Sequence, residues 1–571
     1  MSSLNLHPLD FNGDGGIINH QYARLQMKRL FISLSLIPIG VLIPLYAHSV
    51  PKFLRLSYTS DTSTTMTVVW NTDVDTESIV IYGKAPGNYS NNATGTSFKA
   101  NGALNYIHEV TLTGLEPNTI YYYKAGSNSD GFSEERSFKT GPVQDTNCGR
   151  FSFGYLGDNR PDPTFGGGEN WPQILGQAAK ANPDFMINGG DLVIDGDKID
   201  EWIKFLGWTE NVASRIPLMP TIGNHDDGPG TGDSANYNQI FALPRSTGVY
   251  GSNTEDYYYF TYGNAIFVSL STQTFRDGDI PFERQAKWLD EVLTNNPRKW
   301  KFVYYHHPSY TKNVVFDISH PPNEVNQNGA LVPIFDKHHV DIVFTSHNHW
   351  YERYEPSACS KLGNPSSSTP CSVGANNFDK GTVFVVSGGA GAFTIPGILC
   401  GKQDGRVQCS GDHHYIIISI NNETLTYEAY SAYPQQNKVM DTFTITKTKD
   451  NCVILNDAGM EDITQDSGSI EDAGKDIIAD TISIDTGILK DVAEDREDIV
   501  DSGTDLGVID SYQDTTGSVE DVPDATSSDI PVNNDVSLLD TATGFDIKKD
   551  LRDTESVNKE AGGGCGCLMV Y

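Results

Sequence analysis

The chain has 571 residues, too many for one hydrophobic core and enough for about three to five domains at roughly 100–200 residues each. Acidic residues outnumber basic ones 74 to 40 for a formal charge of −34, which argues against a protein that wraps nucleic acid through Lys and Arg contacts to phosphate. Residues 453–571 hold 29 acidic and 7 basic residues, so −22 of the charge sits there, and all seven Trp lie before residue 351.

In chain order, Lys28 and Arg29 precede an apolar run from Leu30 to Leu45 and then Ala47-His48-Ser49. That is the pattern of a secretory signal cleaved near Ser49. Sixteen residues fall short of the ~20 that a spanning helix needs, and Pro38 and Pro44 weaken a helix further. Met27 heads the signal, so residues 1–49 read as an over-extended start plus the signal. Asp10 to Gly15 copies half a calcium loop, but Gln21 stands where a bidentate Glu is needed, and chance is the better explanation.

An exported chain with eight Cys is expected to form disulfides. Cys359/Cys371 and Cys400/Cys409 lie close together in Gly/Ser/Pro-rich loops and suit local staples; Cys148 and Cys452 flank the central region and could pair.

From residue 50 to 143 short strands alternate with turns: Thr65–Asn71, Ser78–Tyr82, His108–Thr113 and Thr119–Ala125. This is the signature of a β-sandwich, and the stretch resembles a fibronectin type III module with nothing catalytic in it. From 148 to 450 strands alternate with helices. Helix-like Trp171–Ala181 precedes the strand Asp184–Asn188, which ends in Gly189-Gly190-Asp191. Glu201–Ser214 precedes Pro217–Ile222 and Gly223-Asn224-His225-Asp226. Glu283–Thr294 precedes Trp300–Tyr305 and His306-His307-Pro308, and Leu331–His338 precedes Val340–Thr345 and Ser346-His347-Asn348-His349. Ligand sites in α/β sheets lie at the carboxyl ends of strands, so these polar ends can converge.

Residues 453–571 repeat Asp-Thr, Asp-Ser and Asp-Ile units with few aromatics and no Trp. They cannot bury enough apolar surface to offset their ordering entropy and read as a disordered, self-repelling stalk. The end, Gly562-Gly563-Gly564-Cys565-Gly566-Cys567, resembles the beginning of a bacterial surface-sorting tag, without the apolar helix and basic end of such tags. Attachment to a cell surface through this tail is the partner expectation it raises.

Five strand ends supply Asp158, Asp191, Asn224, His306 and the pair His347/His349. Two carboxylates, an amide and three imidazoles make a mixed set suited to Zn, Mn or Fe rather than calcium. Residues i and i+2 at a strand end point the same way, while loop curvature can aim a His-x-His pair at two neighbouring ions. One shared carboxylate can bridge two cations ~3.5–4 Å apart and hold a water between them as nucleophile. A lone Gly-Asp is usually a turn and a lone His-x-His a polar loop; the order of all five together points to metal.

Gly157-Asp158, Gly190-Asp191, Gly223-Asn224-His225-Asp226, Val303-x-x-His306 and His347-x-His349 follow the pattern of the calcineurin-like metallophosphoesterases in order. The preceding sandwich and the Tyr351-Glu352-Arg353 that follows resemble the purple acid phosphatase branch, and the resemblance covers residues 51–445. It implies a multidomain chain in which the fibronectin III-like all-β sandwich is followed by an α/β four-layer α-β-β-α sandwich. It also implies two metal ions, Fe, Zn or Mn. Asp158, Asp191 and His349 would hold the first, and Asp191, Asn224, His306 and His347 the second. His225, Asp226 and Arg160 are the expected catalytic residues, and Arg160, His225 and His307 those expected to meet substrate.

Two positions depart from the branch. Ile194 stands where it has a Tyr three residues after the bridging Asp, so neither the purple colour nor a preference for ferric iron is implied. Arg160 stands where relatives have Gly or a His ligand; guanidinium cannot ligate a metal but clamps phosphate well. The expected function is a secreted or surface-attached phosphoesterase, acid phosphatase-like, cleaving phosphate mono- or diesters. Two cations would make hydroxide available near neutral pH. The alternative is a surface binding or adhesion protein with a vestigial metal site, which the intact ligand set argues against.

Overall fold

A computed structural model of the protein describes residues 49–160, 169–272, 282–312, 325–434 and 437–448. The expected signal and the acidic tail lie outside the described residues.

The amino-terminal part is a sandwich of two antiparallel sheets. One has the order Lys52–Ser57, Met66–Thr72, Tyr106–Leu112, Thr96–Lys99. The other runs Asn91–Thr94, Ile79–Gly83, Ile120–Ser127, Gly131–Phe132, with Arg136–Lys139 also paired to Ile120–Ser127. In Ile120–Ser127 the buried residues Tyr121, Tyr123 and Ala125 share one face, as the period of two along a strand requires.

The larger part has two sheets packed face to face. A six-stranded sheet has the order Leu218–Pro220, Phe185–Asn188, Arg150–Leu156, His414–Asn421, Thr424–Ser431, Val439–Thr446. A seven-stranded sheet has the order Tyr258–Tyr262, Ala265–Ser269, Trp300–Tyr304, Ile342–Thr345, Val383–Ser387, Tyr351–Tyr354, Arg406–Ser410. Aromatic rings fill the space between: Phe153 of the first sheet lies 4.9 Å from Phe267 and 5.1 Å from Phe302 of the second, centroid to centroid.

Alternation sorts the seven-stranded sheet into its two faces. Phe267, Phe302 and Phe344 join the core between the sheets, whereas Val268, Val303 and Val343 join a separate core with the helices. The helix Phe282–Asn295 buries Phe282, Gln285, Ala286, Trp288, Leu289, Val292 and Leu293, the stripe that an amphipathic helix lays on a sheet. It packs beside Val325–His338, while Trp171–Ala179 and Ile199–Ala213 pair elsewhere, Trp171–Ala179 against the six-stranded sheet. The result is the expected four layers, α-β-β-α.

The core of the sandwich is continuous with that of the larger part. Its Tyr58 meets Phe185, Phe260 and Tyr262 of the larger part, and its buried Arg55 donates from Nε to Ile240 O at 2.7 Å. Tyr123 donates to Ser214 O at 2.8 Å.

Disulfides join Cys359 to Cys371 and Cys400 to Cys409, as expected from their loops. Cys148 is also disulfide-bonded; Cys452, its expected partner, lies outside the described residues.

Candidate metal centre

The strands Arg150–Leu156, Phe185–Asn188 and Leu218–Pro220 run parallel, as do Trp300–Tyr304 and Ile342–Thr345 in the facing sheet. Each ends in a short loop that carries one or two of the expected donors, so the donors collect at one mouth. Asp158, Asp191 and His347 have φ of 56°, 56° and 67°, a left-handed backbone that costs free energy in non-Gly residues and gathers at functional sites. Close approach explains two of the Gly beside them. A Cβ on Gly223 would stand 2.3 Å from Asp191 Oδ1, and one on Gly190 would stand 2.8 Å from His306 Nδ1.

The first group is Asp158, Asp191 and His349, whose donor atoms lie within 4.8 Å of one another. His349 donates from Nδ1 to Phe393 O at 2.9 Å, which leaves Nε2 as the donor atom facing inward, 3.5 Å from Asp158 Oδ1. Asp158 accepts the His347 main-chain N–H on Oδ2 at 2.8 Å. Its Oδ1 is buried and accepts no hydrogen bond among the described residues, a costly state for a carboxylate oxygen unless a cation faces it.

The second group is tighter. Asn224 Oδ1 lies 3.1 Å from His306 Nε2 and 3.0 Å from His347 Nδ1. The two ring nitrogens are 3.3 Å apart, and Asp191 Oδ1 is 3.2 Å from His306 Nε2. Donors ~2.1 Å from one cation stand ~3.0 Å apart in an octahedron and ~3.4 Å apart in a tetrahedron, so the four atoms already have the spacing of a coordination shell. His306 Nδ1 donates to Gly189 O at 2.8 Å, which fixes the ring as outer-shell partners of metal-bound His do.

The electrostatics agree. Burial opposes ionisation of Asp191, yet His306, His225 and Arg160 hold it well below the usual carboxylate range. Burial likewise opposes protonation of His306, and the Asp191 and Asp158 carboxylates outweigh it and push the imidazole up to about 9. The pocket attracts positive charge, and the mixed N/O donors suit Zn, Mn or Fe.

Around the donors stand the other expected residues. His225 donates from its main chain to Asp191 Oδ1 at 3.1 Å and from Nδ1 to Ile194 O at 2.6 Å. Its Nε2 lies 3.9 Å from Asp191 Oδ2 with the side chain 30% exposed, so this nitrogen stands at the rim. Arg160 places Nε 3.3 Å from Asp191 Oδ2. Ile194 takes part through its backbone, since its N–H donates to Glu201 Oε2 at 2.7 Å and its side chain offers no donor atom.

Asp226, expected among the catalytic residues, is fully buried, and its two oxygens accept four main-chain N–H groups, from Asp191, Leu192, Val193 and Gly223 at 2.7–3.2 Å. Those bonds hold the two loops together. Burial beside Asp191 pushes the Asp226 pKa up, while the amide donors pull it down. His307, expected to meet substrate, lies beside the donors, with one ring nitrogen grouped with those of His306 and His347 within 4.8 Å.

Sequence reasoning missed the support behind the His pair. Asn348 donates to Thr311 Oγ1 at 2.6 Å, Thr311 donates to Glu352 Oε2 at 2.5 Å, and buried Glu352 pairs with Arg406. Tyr351 and Arg353 both bind Asp441, at 2.6 Å each to Oδ2. The run Tyr351-Glu352-Arg353, quoted above as a mark of the branch, is therefore a brace for the strand that follows His349.

Comparison with known proteins agrees with this geometry. Residues 51–140 match the family described as purple acid phosphatase, N-terminal domain, and residues 154–351 match calcineurin-like phosphoesterase. Acid phosphatase type 7 of Mus musculus is 28% identical over 371 residues, covering 61% of this chain and 79% of that protein. Purple acid phosphatase 21 of Arabidopsis thaliana is 30% identical over 319 residues, covering 53% and 64%. The solved purple acid phosphatase of yellow lupin (Lupinus luteus) seeds has the same fold, with a TM-score of 0.57 at 22% identity over 70% of this chain and 74% of that one. The chain thus carries a domain that matches the purple acid phosphatase amino-terminal domain, followed by one that matches the calcineurin-like phosphoesterases.

Proposed function

We propose that the protein is an exported dinuclear phosphoesterase that hydrolyses phosphate mono- or diesters. Asp158, Asp191 and His349 would hold one ion, and Asp191, Asn224, His306 and His347 the other. The observation that carries this reading is the set of four donor atoms in the second group, 3.0–3.3 Å apart along their contacts. When bound, two cations would lower the pKa of a water and neutralise charge on the phosphoryl oxygens.

The chain's own residues do the rest. The bonds from His306 to Gly189 and from His349 to Phe393 hold each imidazole so that Nε2 faces the centre. Arg160, a planar fork that stays charged, clamps a phosphate oxygen. His225 holds a proton on Nε2 at the rim and delivers it to the leaving oxygen. Its Nδ1–H is committed to Ile194 O, so the exposed nitrogen is the one that exchanges protons. Export is supported by the Lys28–Ser49 pattern and by the two local disulfides.

The test is turnover of p-nitrophenyl phosphate and bis-p-nitrophenyl phosphate by the full chain across Mn, Zn, Fe and Mg, beside Asp191→Ala. Metal-dependent release lost in the variant supports the reading, and the ratio of the two rates names the ester class. Equal, negligible rates for both proteins on both esters would refute it.

A further inference from the structure

The loop after Trp300–Tyr304 carries a second imidazole beside His306. His307 is buried, and its main chain is fixed on both sides: its N–H donates to Thr272 Oγ1 at 3.2 Å, and its C=O accepts from Gln327 Nε2 at 3.0 Å. Its Nδ1 lies 2.8 Å from the same Thr272 hydroxyl. Thr272 is itself buried, and its neighbour Ser271 is gripped by both ends of the Gln285 amide, at 3.0 and 2.7 Å. The hydroxyl therefore has a set position.

A hydroxyl oxygen has two lone pairs and can accept from both the main-chain N–H and Nδ1–H of His307. That tautomer leaves a lone pair on Nε2. His306 and His349 are built the same way, Nδ1 given to a fixed oxygen and Nε2 turned to the centre. The His307 ring lies 4.4 Å from the His347 ring and 5.1 Å from the His306 ring, centroid to centroid. The donor nitrogens of the three residues fall within 4.8 Å, against ~4.2 Å for two donors on opposite sides of one cation at ~2.1 Å each.

We propose that His307 is a further ligand of the second ion through Nε2, and that Thr272 is its positioning residue. The proposal rests on the reading that a second ion binds at all. It makes the second site rich in imidazole, with His306, His307 and His347, while the first has two carboxylates and one imidazole. Imidazole suits Zn, Cu and Ni, and carboxylate suits Mn and Mg, so the two sites sort different ions.

The experiment uses the full chain stripped of metal by a chelator. Zn is titrated in competition with a chromophoric chelator, without substrate, and the visible absorption of the Co-loaded protein is recorded. The wild type, His307→Phe, Thr272→Val and Thr272→Ser are compared. His307→Phe should weaken one of two Zn sites by ~10–100-fold, the usual scale for disturbing a metal-bound His or its partner, and should change the Co bands. Thr272→Val should shift the same site in the same direction by less, and Thr272→Ser should restore it. Thr272→Val leaves the imidazole in place, so it decides the matter if the phenyl ring is not accommodated. Wild-type Zn affinities and Co bands in both His307→Phe and Thr272→Val would overturn the proposal. A wild type that binds one Zn would overturn the dinuclear reading beneath it.

Discussion

Asp226 accepts the main-chain N–H of Asp191 at 2.8 Å, so a carboxylate that faces no ion fixes the backbone of the one proposed to bridge two. The same Oδ2 takes the Gly223 N–H, also at 2.8 Å, and thereby ties two metal-binding loops together. Asp226→Asn keeps the size but offers one acceptor oxygen where four N–H groups converge. Leaving buried donors unpaired around a formerly charged acceptor costs about 2–5 kcal/mol. We expect a lower melting temperature and a loss of bound metal together, read by calorimetry and elemental analysis; an unchanged melt would remove this role.

Arg160 places Nε 3.3 Å from Asp191 Oδ2, where it would compete with a cation for that oxygen. Two effects of opposite sense are expected from Arg160→Ala. Affinity for inorganic phosphate as a competitive inhibitor should fall ~10–100-fold, the worth of a charged hydrogen bond. Metal content should be kept or increased. Steady-state inhibition and elemental analysis measure the two; reduced metal with unchanged phosphate affinity would make Arg160 a structural partner of Asp191 instead.

His225 presents only Nε2 to the mouth, since its Nδ1 is bound to Ile194 O. A proton donor matters most when the leaving group is poor. His225→Asn should slow alkyl phosphates by ~10²–10⁴-fold, the range for general acid catalysis, and p-nitrophenyl phosphate much less. Turnover across a series of leaving-group pKa values tests this, and an equal loss for all esters would assign the residue to binding.

The sandwich should be sensitive to acid through His108, which stacks on Trp70 at 5.0 Å and meets Thr72 and Ser78 at 2.6 and 2.8 Å. Burial pushes its pKa down to about 4, against the pull of Asp75. The unfolded chain takes up the proton near the ordinary value of about 6.5, the fold only near the lowered one. The contribution of neutral His108 is therefore complete above about 6.5 and lost as pH falls towards 4. His414, also lowered to about 4 by burial, adds in the same direction. Melting temperatures from pH 8 to 4 should fall through this window, and His108→Phe should flatten the slope.

What the sequence made legible was local. Asp158, Asp191, Asn224, His306, His347 and His349 each follow an apolar strand within a few residues, so strand and donor share one short window of sequence. The direction of a side chain in a turn is not fixed by such spacing, so the four main-chain N–H groups that Asp226 accepts were not legible. Thr272 carries no motif, and its meaning depends on His307, 35 positions away. The shared core of the sandwich and the larger part was hidden for the same reason: Arg55 reaches Ile240 across 185 positions, and no periodicity reports a contact of that range.

The central claim is that two ions held by these side chains carry out the hydrolysis, and stepwise metal titration of the chelator-treated full chain tests it most directly. Activity on p-nitrophenyl phosphate should stay low at one equivalent of Zn or Mn, rise to its maximum by two, and be absent at every ratio in Asp191→Ala. Full activity in the stripped protein, or a plateau at one equivalent, would contradict the account.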